Sequence, residues 1–109
     1  MEKAYCVIMT TVANKEDACR LTAILLKQQL AACVQHMPIE SYYAFENREC
    51  TEEEILILIK TRHELYHKIE VLMTDEHPYK VPELLMLPVK NGHKDYLDWV
   101  DQSVGFLHH

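Results

Sequence analysis

The amino-acid sequence predicts an α+β fold in which one antiparallel sheet of four strands carries two helices on a single face. Two observations lead to this class. Four short segments are rich in apolar and β-branched residues, and amphipathic segments of helical period separate them in the order strand, helix, strand, strand, helix, strand. The chain has 109 residues, which is the length of one domain, so we expect a single domain over residues 1–109.

The first strand and the first helix are indicated by composition and by a capping residue. Residues 5–11 are short, apolar and β-branched, as is typical of a strand. Asn14 can then cap a helix, and this helix is predicted to end near Leu30. Its apolar positions recur at helical spacing and are Ala18, Leu21, Ile24 and Leu25.

A hairpin of two strands is predicted to follow. Residues 32–45 are rich in Val, Ile and Tyr, and Pro38 indicates a bulge or an edge position because proline cannot donate to a strand ladder. Residues 46–49 are predicted to turn the chain, with Asn47 in the left-handed conformation. The third strand is built around the apolar run 55–59, which follows three glutamates.

The second helix is predicted from a capping pattern and an apolar stripe. Thr61 and Glu64 match the Thr-x-x-Glu capping box, and the dipeptide His77-Pro78 is expected to stop the helix. The inward stripe consists of Leu65, Ile69, Leu72 and Met73.

The rest of the chain is predicted to form a strand and a short helix. Residues 81–89 contain four consecutive apolar residues between two prolines and form the fourth strand. The pair Asn91-Gly92 turns the chain. A short C-terminal helix over residues 94–102 then places Tyr96, Trp99 and Val100 on one side.

The apolar run of the third strand has a consequence for assembly. Alternate residues of a strand point to opposite faces, so one face receives Ile55, Ile57 and Ile59 and the other receives Leu56 and Leu58. In this ferredoxin-like order both helices cover the same face. Because exposed apolar patches usually mark an interface, we expect the open face to pack against further copies of the chain. The alternative is that the terminal helix covers the open face by itself.

Charge and composition argue against several classes of protein. The formal net charge is −6 and the basic residues are scattered among acidic ones, so no basic stripe is available for a phosphate backbone. Residues 1–5 lack the basic start of a secretory signal, and no apolar stretch has the length of a membrane span. The four cysteines contain no Cys-x-x-Cys pair, which favours reduced thiols. We therefore expect a cytoplasmic protein that binds neither nucleic acid nor a membrane.

The sequence contains one match to a catalytic motif. The segment His63-Glu64-Leu65-Tyr66-His67 matches the His-Glu-x-x-His pattern, in which two histidines bind zinc and the glutamate activates water. Both histidines are predicted to project opposite the apolar stripe, onto the solvent face, whereas a zinc hydrolase holds its ligands in a cleft. We therefore expect that the protein is not an enzyme.

Two further side chains are candidates for binding. Cys33 lies within a predicted strand, where it is either a packed core thiol or a ligand. His77 lies at a helix stop beside Glu76 and Pro78, in a loop where its side chain has no apolar stripe to fill. We expect His77 to act either as a ligand and hydrogen-bonding group or as a structural residue.

An ordered set of segments resembles the CutA family over nearly the whole chain. The segments are Thr10-Thr11-Val12, Leu30-Ala31-Ala32-Cys33-Val34, Ser41-x-Tyr43, Lys60-Thr61, His77-Pro78-Tyr79-x-Val81-Pro82-Glu83 and Tyr96-Leu97-x-Trp99. The resemblance implies a ferredoxin-like fold similar to that of PII signalling proteins, assembled as a stable homotrimer. It also implies a role in divalent-cation tolerance, with copper or zinc as the metal.

The resemblance also suggests ligands for that metal. The copper ligands of a family member correspond here to Thr10, Glu76 and His77, so only the histidine is kept. Glu76 is a harder oxygen donor that favours other cations. With the thiol of Cys33 as a further candidate from its residue type, the predicted metal-binding residues are His77, Glu76 and Cys33.

A second function is left open by the resemblance to PII proteins. A PII-like signalling trimer would bind a small molecule in the cleft between subunits. The polar contacts in such a cleft are predicted to be Lys60, Tyr79 and Glu83.

Overall fold

The computed structural model describes residues 4–105 and has the predicted order of elements. The strands are β1 (Tyr5–Val12), β2 (Cys33–Phe45), β3 (Arg48–Arg62) and β4 (Leu85–Pro88). The helices are α1 (Lys15–Lys27), α2 (Tyr66–Glu76) and α3 (Lys94–Ser103), and a 3-10 turn at His63–Leu65 leads into α2. Residues 1–3, on which the predicted cytoplasmic location partly depends, lie outside the described range.

The sheet is antiparallel throughout and has the strand order β2-β3-β1-β4. β2 is an edge strand, as Pro38 predicted, and its register with β3 is continuous there, with Pro38 opposite Ile55. β1 pairs with β3 only from Ile55 onward, whereas β2 pairs with β3 from Arg48. The hairpin of β2 and β3 therefore extends beyond the rest of the sheet as an arm.

Helices α1 and α2 cover one face of the sheet, and the hydrophobic core lies between the helices and this face. The sheet contributes alternate residues, which confirms the predicted period of two. The fully buried core side chains include Ile8, Ile57 and Ile59 from the strands and Leu21, Leu25 and Ile69 from the helices. The α+β fold class is therefore confirmed. Within residues 4–105, no helix combines the length and the apolar character that crossing a membrane requires.

The opposite face of the sheet stays open in the single chain. Leu56 and Leu58 are half-buried there. Exposed apolar side chains flank them on the outer strands: Met37 is 48% exposed, Leu85 54% and Leu87 44%. Helix α3 contacts only one end of this face, so the alternative that the terminal helix covers the face by itself is wrong for the central residues.

Helix α1 begins as predicted and ends earlier. The side chain of Asn14 accepts a hydrogen bond from the backbone N–H of Asp17 at 2.8 Å, which confirms the predicted N-cap. The helix ends at Lys27 and not near Leu30, because Gln29 takes a positive φ of 56°. A left-handed residue directly after a helix is a common way to stop it.

The predicted capping box at the start of the second helix is wrong. Thr61 belongs to β3, where it is buried and its hydroxyl donates to the carbonyl of Leu30 at 2.7 Å. The carboxylate of Glu64 accepts from Arg62 instead, with its closest contact at 3.1 Å. Neither side chain caps the helix, because Thr61 bonds to Leu30 and Glu64 to Arg62, so a 3-10 turn with no side-chain cap precedes the helix.

Two other boundaries differ from the prediction. The fourth strand is shorter than residues 81–89, because its ladder to β1 contains only four pairs and Val81 is 86% exposed. The hairpin turn is tighter than residues 46–49. Glu46 and Asn47 form it alone with φ values of 52° and 64°, and Arg48 already pairs with Phe45.

Candidate functional site

A groove of about 450 Å³ lies where the hairpin arm leaves the sheet. Its walls combine aromatic rings with carboxylates, and several of them lie on the open face, because Glu52 and Glu54 alternate in phase with Leu56 and Leu58 along β3. The lining residues are Thr11, Tyr43, Phe45, Glu52, Glu54, Tyr79, Val81 and Glu83. The groove is therefore acidic and aromatic.

His77 is fixed at the end of α2, next to this groove. Its Nδ1 accepts a hydrogen bond from the backbone N–H of Tyr79 at 3.0 Å. Its Nε2 lies 2.9 Å from the carbonyl oxygen of Thr11 and 3.1 Å from the hydroxyl of Thr10. Because a carbonyl can only accept, Nε2 carries the proton and the ring is neutral. His77 is therefore hydrogen-bonded through both ring nitrogens, and its role as a metal ligand stays a prediction.

Burial also keeps His77 neutral. Only 8% of the residue is exposed, and desolvation lowers the pKa of its imidazole below the ordinary value. The hydrogen bond to the Thr11 carbonyl favours the protonated ring but does not reverse the shift. At neutral pH, the side chain therefore acts as a hydrogen-bonding link between α2 and β1.

Tyr79 connects the His77 loop to the floor of the groove. Its hydroxyl donates to the carboxylate of Glu54 at 2.6 Å, which is short and charge-assisted. Burial, followed by this hydrogen bond, raises the pKa of the Tyr79 phenol. Glu54 is itself a buried residue, with 8% exposure. Tyr79 and Glu83 line the same groove of one chain, and the predicted cleft between subunits stays a prediction.

The other predicted metal ligands lie apart from His77 within one chain. Glu76 is exposed and forms an ion pair with Arg20 at 3.0 Å. Cys33 pairs with Lys60 across the two strands, so both lie on the open face, whereas the Thr10 hydroxyl that contacts His77 belongs to the covered face. Within residues 4–105, no three His, Cys, Asp or Glu side chains are grouped closely enough to hold one metal ion.

Lys60 is separated from Tyr79 and Glu83. It lines a different cavity of about 240 Å³, which lies under α3 at the other end of the open face. The predicted cleft residues are therefore brought together only in part within one chain.

The His-Glu-x-x-His segment lies on the surface, as its position opposite the apolar stripe predicted. The side chain of His67 is 83% exposed and lies 3.8 Å from Glu70. His63 is exposed in the 3-10 turn, and Glu64 forms an ion pair with Arg62. The turn also breaks the regular α-helical spacing that would align the two histidines.

Sequence reasoning missed Glu54, Glu52 and Tyr43 as groove residues. A signal was present, because Glu54 shares its strand parity with Leu56 and Leu58 and therefore points to the same face. A carboxylate on the same face of a strand as a row of apolar side chains is not expected to be fully exposed to solvent. Glu54 ends a run of three glutamates, however, and such a run by itself indicates a solvated segment before the apolar run.

Comparison with known proteins agrees with the fold. Residues 6–103 match the family model described as CutA1 divalent ion tolerance protein. The "Protein CutA 1, chloroplastic" of rice is 41% identical over 98 residues, which are 89% of this chain and 55% of the rice protein. The chain thus spans about half the length of that relative.

Two further similarities cover nearly the whole of both chains. The "Divalent-cation tolerance protein CutA" of Thermus thermophilus is 34% identical over 100 residues, which are 91% of this chain and 97% of that protein. The solved structure of the periplasmic divalent cation tolerance protein CutA from Archaeoglobus fulgidus has a TM-score of 0.89 and 32% identity. It covers 92% of this chain and 98% of its own.

Proposed function

Because the chain belongs to the CutA1 divalent ion tolerance protein family, we propose that it works as a homotrimer that binds a divalent cation at the boundary between subunits. The observation that favours this proposal is the buried residue Glu54, whose carboxylate lies in a groove that Glu52 and Glu83 also line. Within residues 4–105 this carboxylate has no cationic partner. A buried charge without a counter-charge costs free energy, and a bound cation offsets that cost.

Oxygen donors determine which cation suits this groove. Carboxylates bind Zn(II) and Mn(II) readily, whereas Cu(II) selects nitrogen donors more strongly. Both nitrogens of His77 are already hydrogen-bonded, so His77 could join a metal site only after giving up the bond from Tyr79. Of the two predicted metals, copper and zinc, we therefore favour zinc.

The proposed homotrimer follows from the open face. Leu56 and Leu58 lie there among Met37, Leu85 and Leu87, and burial of apolar area stabilises association by about 25 cal/mol per Å² before association costs are subtracted. In a PII-like arrangement, the open faces pack together and the hairpin arms reach neighbouring subunits. A site at the groove would then take ligands from two chains.

Calorimetric titration of Zn(II), Cu(II) and Mn(II) tests the cation proposal. Glu54→Gln removes the charge and keeps an oxygen that can accept from Tyr79, so the fold is preserved. We expect Glu54→Gln to lower Zn(II) affinity at least about tenfold, the effect of losing one charged ligand contact.

The matched control is Glu53→Gln, because Glu53 is exposed and points to the opposite face of β3. Its titration is expected to equal that of the wild type. If Glu54→Gln and Glu53→Gln titrate alike, the groove is not the site. A loss of Cu(II) binding only in His77→Ala would instead support the ligand set predicted from the resemblance.

The second candidate is a PII-like signalling trimer that binds a small molecule. The aromatic walls and the volume of the groove favour it, because such sites combine apolar surfaces with a few polar groups. A thermal-shift screen with nucleotides and organic ions separates the two functions, since a ligand that binds the native state raises its melting temperature.

We further propose that the protein is cytoplasmic and is not an enzyme. The exposed positions of His63 and His67 support the absence of zinc peptidase activity, and an assay with casein and added zinc tests it. Relatives carry the words chloroplastic and periplasmic in their names, so cell fractionation is the direct test of location.

A further inference from the structure

A small apolar pocket lies between helix α3 and the open face of the sheet. Its volume is about 240 Å³, below the range of sites for drug-sized ligands. The walls come from β1, from the segment before α3 and from α3 itself, and include Val7, Val89, Leu97 and Val100. The pocket is therefore enclosed by one chain and shares no residue with the groove at Glu54.

Of the described side chains that line this pocket, only Lys60 is charged. Its ammonium lies 5.9 Å from the centre of the Tyr96 ring, which is a cation–π contact. Within residues 4–105 it has no carboxylate partner, in contrast to Lys94, which pairs with Asp98 at 2.8 Å. A half-buried cation beside apolar walls complements an anion attached to an apolar body.

The backbone of the pocket wall lies close to α3 at Gly92. A Cβ built on Gly92 would lie 3.0 Å from a terminal carbon of Leu97. The absence of a side chain at this position lets the segment before α3 approach the helix. Leu97 is thereby held as a wall of the pocket.

We propose that this pocket binds a small apolar carboxylate, with its apolar body against Val7, Leu97 and Val100 and its carboxylate at the Lys60 ammonium. The volume suits a ligand built on a single ring. The site is separate from the proposed cation site and uses residues of one chain.

The protein carries its own reporter for this pocket. Trp99 is the only tryptophan of the sequence, and its ring centroid lies 5.6 Å from that of Tyr96, which lines the pocket. Cyclohexanecarboxylate is a suitable probe because it does not absorb where tryptophan is excited. Titrating it into the full-length protein is expected to change Trp99 fluorescence in a saturable manner and to raise the melting temperature.

The contribution of the ion pair between the ligand carboxylate and Lys60 is tested with a neutral ligand of the same shape and with a variant of Lys60. Cyclohexanecarboxamide has the same shape without the charge and is expected to bind about tenfold more weakly, as is the carboxylate to Lys60→Gln. Lys68→Gln is the matched control, because Lys68 is an exposed lysine on α2, outside this pocket, and should leave the titration unchanged. Circular dichroism of each variant verifies the fold.

Three results would overturn the proposal. The first is the absence of any saturable response to cyclohexanecarboxylate, as expected if a neighbouring subunit fills the pocket. The second is equal affinity for the carboxylate and the carboxamide. The third is equal affinity of folded Lys60→Gln and Lys68→Gln for the carboxylate.

Discussion

His77 links the end of α2 to β1 through hydrogen bonds that require a neutral ring. Nδ1 accepts from Tyr79 and Nε2 donates to the carbonyl of Thr11. Burial lowers the pKa of the imidazole, so protonation is less favourable in the folded state than in the unfolded chain. The side chain therefore couples the stability of this corner to pH.

The first prediction is that acid destabilises the protein through His77. Because the folded pKa of His77 lies below the unfolded value of about 6.5, its contribution to stability is complete above that pH. It is lost as pH falls through the folded pKa, since the unfolded state takes up the proton first. We expect the melting temperature of the wild type to drop more between pH 7.5 and 5.5, taken as about one unit either side of that value, than that of His77→Gln.

The same comparison contains its control. Asp17, Arg20 and Glu54 contribute to the electrostatic environment of His77 and are unchanged in the variant. Any acid sensitivity that remains in His77→Gln belongs to those groups or to more distant ones. If the melting temperatures of the two proteins fall equally between pH 7.5 and 5.5, His77 is not the source of the acid sensitivity.

The second prediction concerns the hydroxyl of Tyr79. Tyr79→Phe leaves the buried carboxylate of Glu54 without its donor, which we expect to lower the free energy of unfolding by about 1–3 kcal/mol. Tyr42 is the control, because it is 72% exposed and donates to the exposed Glu40. Tyr42→Phe should change stability by less than about 0.5 kcal/mol in urea denaturation. Equal losses in the two variants would contradict a special role for the Tyr79 bond.

At the scale of elements, helix α3 is attached to the sheet by polar contacts. Asp101 accepts from the guanidinium of Arg62 at 2.6 Å and from the hydroxyl of Tyr5 at 2.7 Å. The side chains of this ion pair are only 14% and 9% exposed. Arg62 also contacts the ring of Tyr5 and pairs with Glu64, so one end of the open face carries a connected network.

The third prediction follows from this network. Asp101→Ala leaves Arg62 with Glu64 as a partner but removes the buried one, so we expect a loss of about 3 kcal/mol, the lower end for a broken buried pair. Asp98→Ala breaks an exposed pair on the same helix and should cost about 0.5 kcal/mol or less. Urea denaturation measures both. A small loss in Asp101→Ala would show that α3 is held by its apolar contacts alone.

Helices and strands could be predicted where a local sequence pattern, such as an apolar run or a capping residue, determines them. The apolar run 55–59 placed the central strand, and Asn14 placed the start of α1. The predicted capping box was wrong because the Thr61 hydroxyl donates to the distant Leu30 carbonyl and Glu64 pairs with the neighbouring Arg62. The predicted length of β4 was wrong because only four of its residues pair with β1, and an apolar run does not show how much of it will pair with a distant strand.

The candidate site was less predictable for the same reason. Tyr79 and Glu83 are close in sequence and share the groove, but Lys60 lies under α3 because the direction of β3 carries it to the other end. Strand parity places Glu54 on the open face, but its hydrogen-bond partner Tyr79 comes from the loop after α2, a contact that no local pattern contains. Contacts between distant segments decided which predicted residues meet.

At the scale of the whole molecule, the chain has one covered face and one open face. The covered face contains Ile57 and Ile59, which are fully buried, while the open face carries Leu56 and Leu58 from the same strand. This two-faced strand was predictable from alternation alone. The proposed homotrimer would also remove the second face from water.

The fourth prediction tests which face associates. Leu58→Glu places a charge at the centre of the open face, and burying it in an interface is unfavourable, so we expect the assembly to dissociate. Leu26→Glu is the matched control, because Leu26 is 47% exposed on α1, away from the open face. The control should remain assembled in size-exclusion chromatography with light scattering. Dissociation by Leu26→Glu alone would place the interface on the helical side.

Sedimentation equilibrium of the wild-type protein measures the assembly directly. If the open faces pack together as proposed, the mass is three times the 12.8 kDa of one chain and does not change on dilution through the micromolar range. A stable, non-aggregating species of 12.8 kDa would contradict it, because Leu56 and Leu58 would then remain only half-buried in solution.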